Sequence, residues 1–104
     1  MVKRRGYRIE LGEIERALYG HGRIREAAVI SASDADAGVT ITAFVSCDRA
    51  DRPSIIELKS FCATHLPAYM SPDRFMFRER LPRTSTDKVD YQALHSQSVP
   101  SPVA

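Results

Sequence analysis

Four basic side chains, Lys3, Arg4, Arg5 and Arg8, crowd around Gly6 in the first eight residues, MVKRRGYR. Such an arm can contact phosphate or an acidic partner, and it can equally be a solvated basic face, the usual meaning of a charge run. Near the other end, Lys88 stands in LPRTSTDKVD, a stretch with neither a helical nor an alternating period. Taken alone, a lysine in an exposed turn is a surface lysine. The other residue types that do chemistry are present without the spacing that chemistry needs. His21, His65 and His95 have no ligand spacing and no nucleophile signature beside them, and Asp48, Asp51 and the remaining carboxylates are isolated. Cys47 and Cys62 lie among apolar residues with no C-x-x-C or Cys/His cluster, so they read as buried free thiols in a reducing compartment, and no metal site is expected.

The chain has 104 residues, 43% hydrophobic and 27% charged, with both signs of charge spread along it. That is the composition of one soluble globular domain, and it leaves little room for a complete multi-substrate enzyme. A domain this small is only marginally stabilised by its own burial, so support from a neighbouring domain is expected. The net charge of +2 is too small to argue for nucleic acid. No run approaches the ~20 apolar residues of a membrane-spanning helix, and no apolar segment behind the basic start makes a signal peptide. A cytoplasmic protein with neither nucleic-acid nor membrane partners is expected.

Residues 9–19 have helical spacing, with Leu11, Ile14 and Leu18 on one face, Ala17 beside them, and Glu10, Glu13 and Glu15 near the positive end of the dipole; Gly20 and Gly22 end the helix. Residues 26–31 suit a buried strand. Residues 39–47 alternate, Val39, Ile41, Ala43, Val45 and Cys47 against Thr40, Thr42, Phe44 and Ser46, and the Asp/Ala/Gly-rich segment 33–38 between the two strands makes a hairpin. Ser54 and Glu57 have capping-box spacing ahead of a second helix carrying Ile55, Leu58, Cys62 and Leu66 inward. Pro67 and Pro72 fix the route to a third strand, 74–78, with Phe75 and Phe77 on one face; Tyr69 and Met70 are expected to pack inward. Residues 81–87 read as an ordered loop, 89–94 as a short helical turn, and 97–104 as a flexible tail. The fold class is therefore α+β: a small antiparallel sheet of about three strands with flanking helices and an N-terminal β-loop.

Three segments carry more than fold. VKRRGYRIELGEIE at 2–15 resembles the VK-x-RG-x-RIELGEIE signature of the adenylate-forming enzymes, which include nonribosomal peptide synthetase adenylation domains, acyl- and aryl-CoA synthetases and luciferases. LPAYMSP at 66–72 is similar to that family's LP-x-YM-x-P motif, and LPRTSTDKVDYQAL at 81–94 resembles its last signature, LP-x-T-x-[NT]-G-K-[VL]-D. Order and spacing agree, so the resemblance spans roughly residues 2–95.

The resemblance implies a mobile C-terminal lid subdomain, residues 1–96, that works beside a much larger N-terminal subdomain holding ATP, Mg2+ and the carboxylic acid. Carboxylate and ATP give acyl-adenylate and pyrophosphate; a phosphopantetheine thiol, on a peptidyl or acyl carrier protein or on coenzyme A, then takes the acyl group as a thioester, and the lid rotates between the two halves. Lys88 matches the lysine of the last motif and is implied as the catalytic cation for the first half. Carboxylate and phosphate are both anionic, and a long-reach ammonium stabilises their crowded charge. Gly6, with Tyr7 and Arg8, is implied as the loop lining the pantetheine channel in the second half, where a backbone close to a thin thiol chain has no room for a Cβ. Lys3 and Arg5 are implied as phosphate or carrier contacts. The chain alone is expected to be inactive, and Met1, just past the point where the family places its hinge, looks like an added start on a dissected fragment.

Two residues depart from the pattern. Asp87 replaces the glycine before the lysine, tolerating a left-handed turn but bringing a carboxylate beside Lys88; Tyr91 stands where arginine is frequent. These details resemble stand-alone amino-acid or acyl ligases that load a discrete carrier protein, with the lid of an acyl- or aryl-CoA synthetase as the alternative. Of other classes, a free-standing interaction or regulatory domain could use the same frame. An RNA-binding module fits poorly, because RGYRIELG starts like an RNP1 motif but lacks its base-stacking aromatics.

Overall fold

The computed structural model describes residues 2–4, 6–34 and 38–98. β1 (Val2–Arg4) and β2 (Tyr7–Ile9) pair antiparallel as a hairpin, with Lys3 opposite Arg8 and Val2 opposite Ile9. Ile9 therefore ends a strand, and α1 starts two residues later than its spacing suggests, at Leu11–Tyr19. β3 (Glu26–Asp34) and β4 (Gly38–Ser46) form the long antiparallel hairpin, α2 spans Ile55–His65, β5 spans Arg74–Arg78 and α3 spans Tyr91–Ser98. Two residues of the expected tail are thus helical, and the rest of it, 99–104, lies outside the described residues. None of the helices is long and apolar enough to cross a membrane among the described residues.

The sheet order is β3-β4-β5, and one pairing corrects the expected antiparallel sheet: β5 runs parallel to β4. The reason lies in the connection. Between β4 and β5 the chain passes through α2, which returns it along the sheet before β5 begins, as a parallel crossover requires. The sheet is mixed.

Alternation along the strands feeds two cores, one on each face. Ala27, Val29, Ile41, Ala43, Val45 and Phe75 bury against Ile14 and Leu18 of α1, Leu58 and Cys62 of α2, and Ile9 and Met70. On the opposite face, Ala28, Ile30 and Phe44 bury against Leu81 and Leu94, with Met76 and Val89 packed alongside. Residues 81–94 are therefore a covering layer of the sheet. Their apolar anchors are too widely spaced to show a period in the sequence.

Capping is local and specific. Ser54 Oγ accepts from the Glu57 amide at 3.0 Å, but the Glu57 carboxylate does not complete the box; it pairs with Arg23 and with His21 Nε2 at 3.0 Å. The Arg23 guanidinium, ahead of the opposing cost of burial, holds the Glu57 carboxyl below the usual carboxylate range. His21 is buried, and its Nδ1 accepts from the Arg23 amide at 3.2 Å, so Nε2 carries the proton donated to Glu57. Ile55 in the first turn of α2 is exposed, unlike Leu58 and Cys62, because that turn stands at the surface between exposed Ser54 and Ile56. Cys47 and Cys62 are buried free thiols, and burial pushes the Cys62 thiol up to about 11.

Candidate functional site

Two loops hold the residues that the motifs single out, and the sheet lies between them. The first is the β1–β2 hairpin. Ile9 anchors it, fully buried in the core beneath α1 and α2, and Tyr7, two residues earlier and on the same strand face, stacks on Tyr69 at 4.2 Å with the rings 9° apart. Tyr69 sits in the 3₁₀ turn Ala68–Met70, whose Met70 is buried. The N-terminal motif and the LPAYMSP motif thus meet through one aromatic pair, a contact worth about 0.5–1.5 kcal/mol beyond its buried area. Nothing in the sequence linked the two motifs across 62 positions except the shared aromatic type.

Lys3 and Arg8 are direct cross-strand partners, so their side chains share the other face of the hairpin, and both are exposed. Arg8 is tied to Glu10, with Nε and Nη2 at 3.1 and 3.0 Å from Oε1, which offsets its charge; Lys3 has no ion pair among the described residues. Arg5 lies outside the described residues. Gly6 has φ +84, and a Cβ built there meets no atom within 4 Å. Within this domain, then, the glycine is required by its left-handed backbone and not by crowding.

The second loop carries Lys88 and belongs to the opposite core. Arg83 and Val89 form an isolated antiparallel bridge that closes it. Inside, the Thr84 amide donates to the Lys88 carbonyl at 2.7 Å, the Asp87 amide to the Thr84 carbonyl at 2.9 Å, and the Asp90 amide to the Pro82 carbonyl at 2.8 Å. Asp87 takes φ 63, the left-handed conformation that the motif's glycine would supply, and one that Asp adopts more readily than most residues. Lys88 is exposed, and its ammonium makes no ion pair among the described residues. After the loop, Asp90 Oδ1 accepts from the Ala93 amide at 3.1 Å and so caps α3.

The carboxylate that anchors this loop, Glu26, lies outside all three motifs. Glu26, the first residue of β3, accepts from the Leu81 amide at 3.2 Å, from Ser46 Oγ at 3.0 Å and from the Arg83 guanidinium. Burial alone would raise its carboxyl, but these three donors outweigh burial and hold it below the usual carboxylate range. The anchorage is complete above the unfolded carboxylate value of about 4.3 and is lost as pH falls through the depressed folded value. Tyr91 reaches across to Glu15, its hydroxyl donating at 2.7 Å to the same oxygen that accepts from the Val29 amide at 2.9 Å. Burial first, and Glu15 second, push the tyrosine hydroxyl up. The open cleft of roughly 640 Å³ beside Glu26 is lined by Arg25, Arg80 and Arg83 and by Glu26, Glu79 and Asp87, so its formal charges balance.

The AMP-binding enzyme C-terminal domain family matches residues 13–88, about three quarters of the chain. The chain belongs to that family. Over its whole length it is 40% identical to the L-proline–(L-prolyl-carrier protein) ligase of Streptomyces coelicolor, covering 20% of that protein. It is 43% identical over 93 residues to tyrocidine synthase 1 of Brevibacillus parabrevis, covering 89% of this chain and 8% of that one. Among solved structures, a four-domain nonribosomal peptide synthetase bound to AMP and glycine superposes with a TM-score of 0.76 at 35% identity over 99% of this chain and 7% of that one. A Mycobacterium tuberculosis fatty acyl CoA synthetase superposes with a TM-score of 0.80 at 30% identity over 89% of this chain and 18% of that one. The AMP-binding C-terminal domain described here spans a fifth or less of the length of each of these relatives.

Proposed function

We propose that this domain is the rotating lid of an ATP-dependent ligase that activates an amino acid as its adenylate and passes it to the phosphopantetheine thiol of a carrier protein. Lys88 serves the first half-reaction and the Gly6 hairpin, with Tyr7, Arg8 and Lys3, serves the second. The observation that carries this assignment is the separation of the two loops. Each is anchored to a different core, on opposite faces of one three-stranded sheet, so a rigid rotation can present one loop and withdraw the other. An exposed ammonium on a tightly closed loop suits the crowding of carboxylate against α-phosphate, where a positioned cation stabilises charge that develops only in the transition state. The carrier protein is favoured over coenzyme A by the 40–43% identity to the prolyl-carrier protein ligase and tyrocidine synthase 1, against 30% to the fatty acyl CoA synthetase. ATP and Mg2+ would be held mainly by the N-terminal subdomain, the lid's principal partner.

The test is ATP–pyrophosphate exchange by the full-length ligase across the amino acids, followed by acyl transfer to a holo carrier protein and to coenzyme A. Exchange with an amino acid and faster loading of the carrier are expected; residues 1–104 alone should show none. No exchange with any amino acid, or preferential loading of coenzyme A, would replace the substrate or the acceptor in this assignment.

Asp87→Gly in the full-length ligase is expected to leave adenylation unchanged or to raise it up to about fivefold. Glycine takes the left-handed conformation without a Cβ, and removing the carboxylate removes a like charge facing the incoming acid, worth about 1 kcal/mol at a few Å in water. A slower adenylation rate in this variant would give the Asp87 carboxylate a positive role.

A further inference from the structure

Lys88 owes its place to a chain of contacts that starts in the sheet. Ser46 of β4 and Glu26 of β3 share a hydrogen bond, Glu26 pairs with Arg83, and Arg83 Nη1 donates at 3.3 Å to the Asp87 carbonyl. That carbonyl belongs to the peptide bond joining Asp87 to Lys88, and the amide of the same peptide lies 3.4 Å from Thr84 Oγ1. The peptide plane entering Lys88 is therefore held from both sides, and the Lys88 carbonyl is held by the Thr84 amide. Glu26 also fixes the start of the segment through the Leu81 amide. One carboxylate, 57 residues before Arg83, sets both the base of the loop and the residue that orients its tip.

We propose that Glu26 is a positioning residue for Lys88 in acyl-adenylate formation, acting through Arg83. This rests on the assignment of Lys88 to the first half-reaction. Glu26→Gln keeps the shape and an acceptor for Leu81 or Ser46 but loses the charge-assisted bond to Arg83, and the freed guanidinium no longer fixes the Asp87 carbonyl. A misplaced cation costs rate rather than substrate affinity, because its interaction with the reacting groups is made in the transition state.

In the full-length ligase, Glu26→Gln is expected to lower kcat for adenylation by about tenfold with KM for ATP and the acid nearly unchanged, and to spare transfer from supplied acyl-adenylate. Arg83→Lys, which keeps the charge but cannot fork between Glu26 and the Asp87 carbonyl, should lose part of this. The deciding measurement is the double variant with Lys88→Ala. If Glu26 acts only through Lys88, Glu26→Gln adds no further loss to Lys88→Ala; a merely structural role would make the two losses additive and would slow both half-reactions. Full adenylation in Glu26→Gln, or additive losses, overturns the inference while leaving the Lys88 assignment standing. Full adenylation in Lys88→Ala alone overturns both. Folding is checked by circular dichroism, and should Glu26→Gln fail to fold, Arg83→Lys carries the same double-variant comparison.

Discussion

In the full-length ligase, Lys88→Ala is expected to slow acyl-adenylate formation by at least ~100-fold, the scale of losing one preorganised transition-state charge stabiliser, and to leave acyl transfer to the thiol nearly intact. The loss should appear in kcat and kcat/KM together, since the ammonium is exposed and makes no ion pair among the described residues, so its removal leaves no partner unpaired in the free domain. The loop itself should survive the substitution. Its backbone is closed by the Thr84, Asp87 and Asp90 amides and by the Arg83–Val89 bridge, none of which uses the lysine side chain. The measurement is pyrophosphate exchange set against single-turnover transfer from synthetic acyl-adenylate, with unchanged thermal unfolding as the control. An equal loss in both half-reactions would show that Lys88 acts on the lid as a whole.

Gly6→Leu in the full-length ligase is expected to do the reverse: thioester formation should fall by at least ~100-fold, the scale at which misplacement of a reacting group costs rate, with adenylation nearly spared. Two causes have to be separated. Any L-residue at φ +84 pays a left-handed backbone cost of about 1–2 kcal/mol, whereas obstruction of the pantetheine arm depends on side-chain size. Gly6→Ala bears the first cost with almost none of the second, and Gly6→Asn tolerates the left-handed region. Because a Cβ at Gly6 meets nothing within 4 Å in this domain, the domain itself leaves room for alanine, and a thioester-forming defect that grows from Ala to Leu with folding and adenylation unchanged reports a body that arrives from outside. Equal transfer rates in Ala and Leu would assign the defect to backbone strain, and a loss of adenylation in Gly6→Leu would reverse the roles of the two loops.

Local chemistry made most of the elements legible. The 3-and-4 spacing of Leu11, Ile14 and Leu18, the alternation from Val39 to Cys47, and the Ser54 cap each depend on residues a few positions apart, and each appears in the fold with small shifts at the ends. The motifs also marked Gly6, Tyr7, Arg8 and Lys88, because sequence order carries side-chain type and spacing directly. The direction of β5 was not legible from Phe75 and Phe77, since alternation is the same in parallel and antiparallel strands; only the α2 crossover carries that information.

What the sequence determined by itself is a small α+β domain of the AMP-binding C-terminal type with a basic glycine loop at one end and a lysine loop at the other. Tertiary structure alone decided that these loops hang from opposite faces of one sheet, that Tyr69 grips the first through Tyr7, and that Glu26 grips the second through Leu81 and Arg83. The physical reason is range. Caps, turns and periodicity are settled by neighbours within a helical turn, whereas an aromatic stack across 62 positions and a carboxylate 57 positions from its arginine exist only after the sheet has formed and the two cores have closed on it.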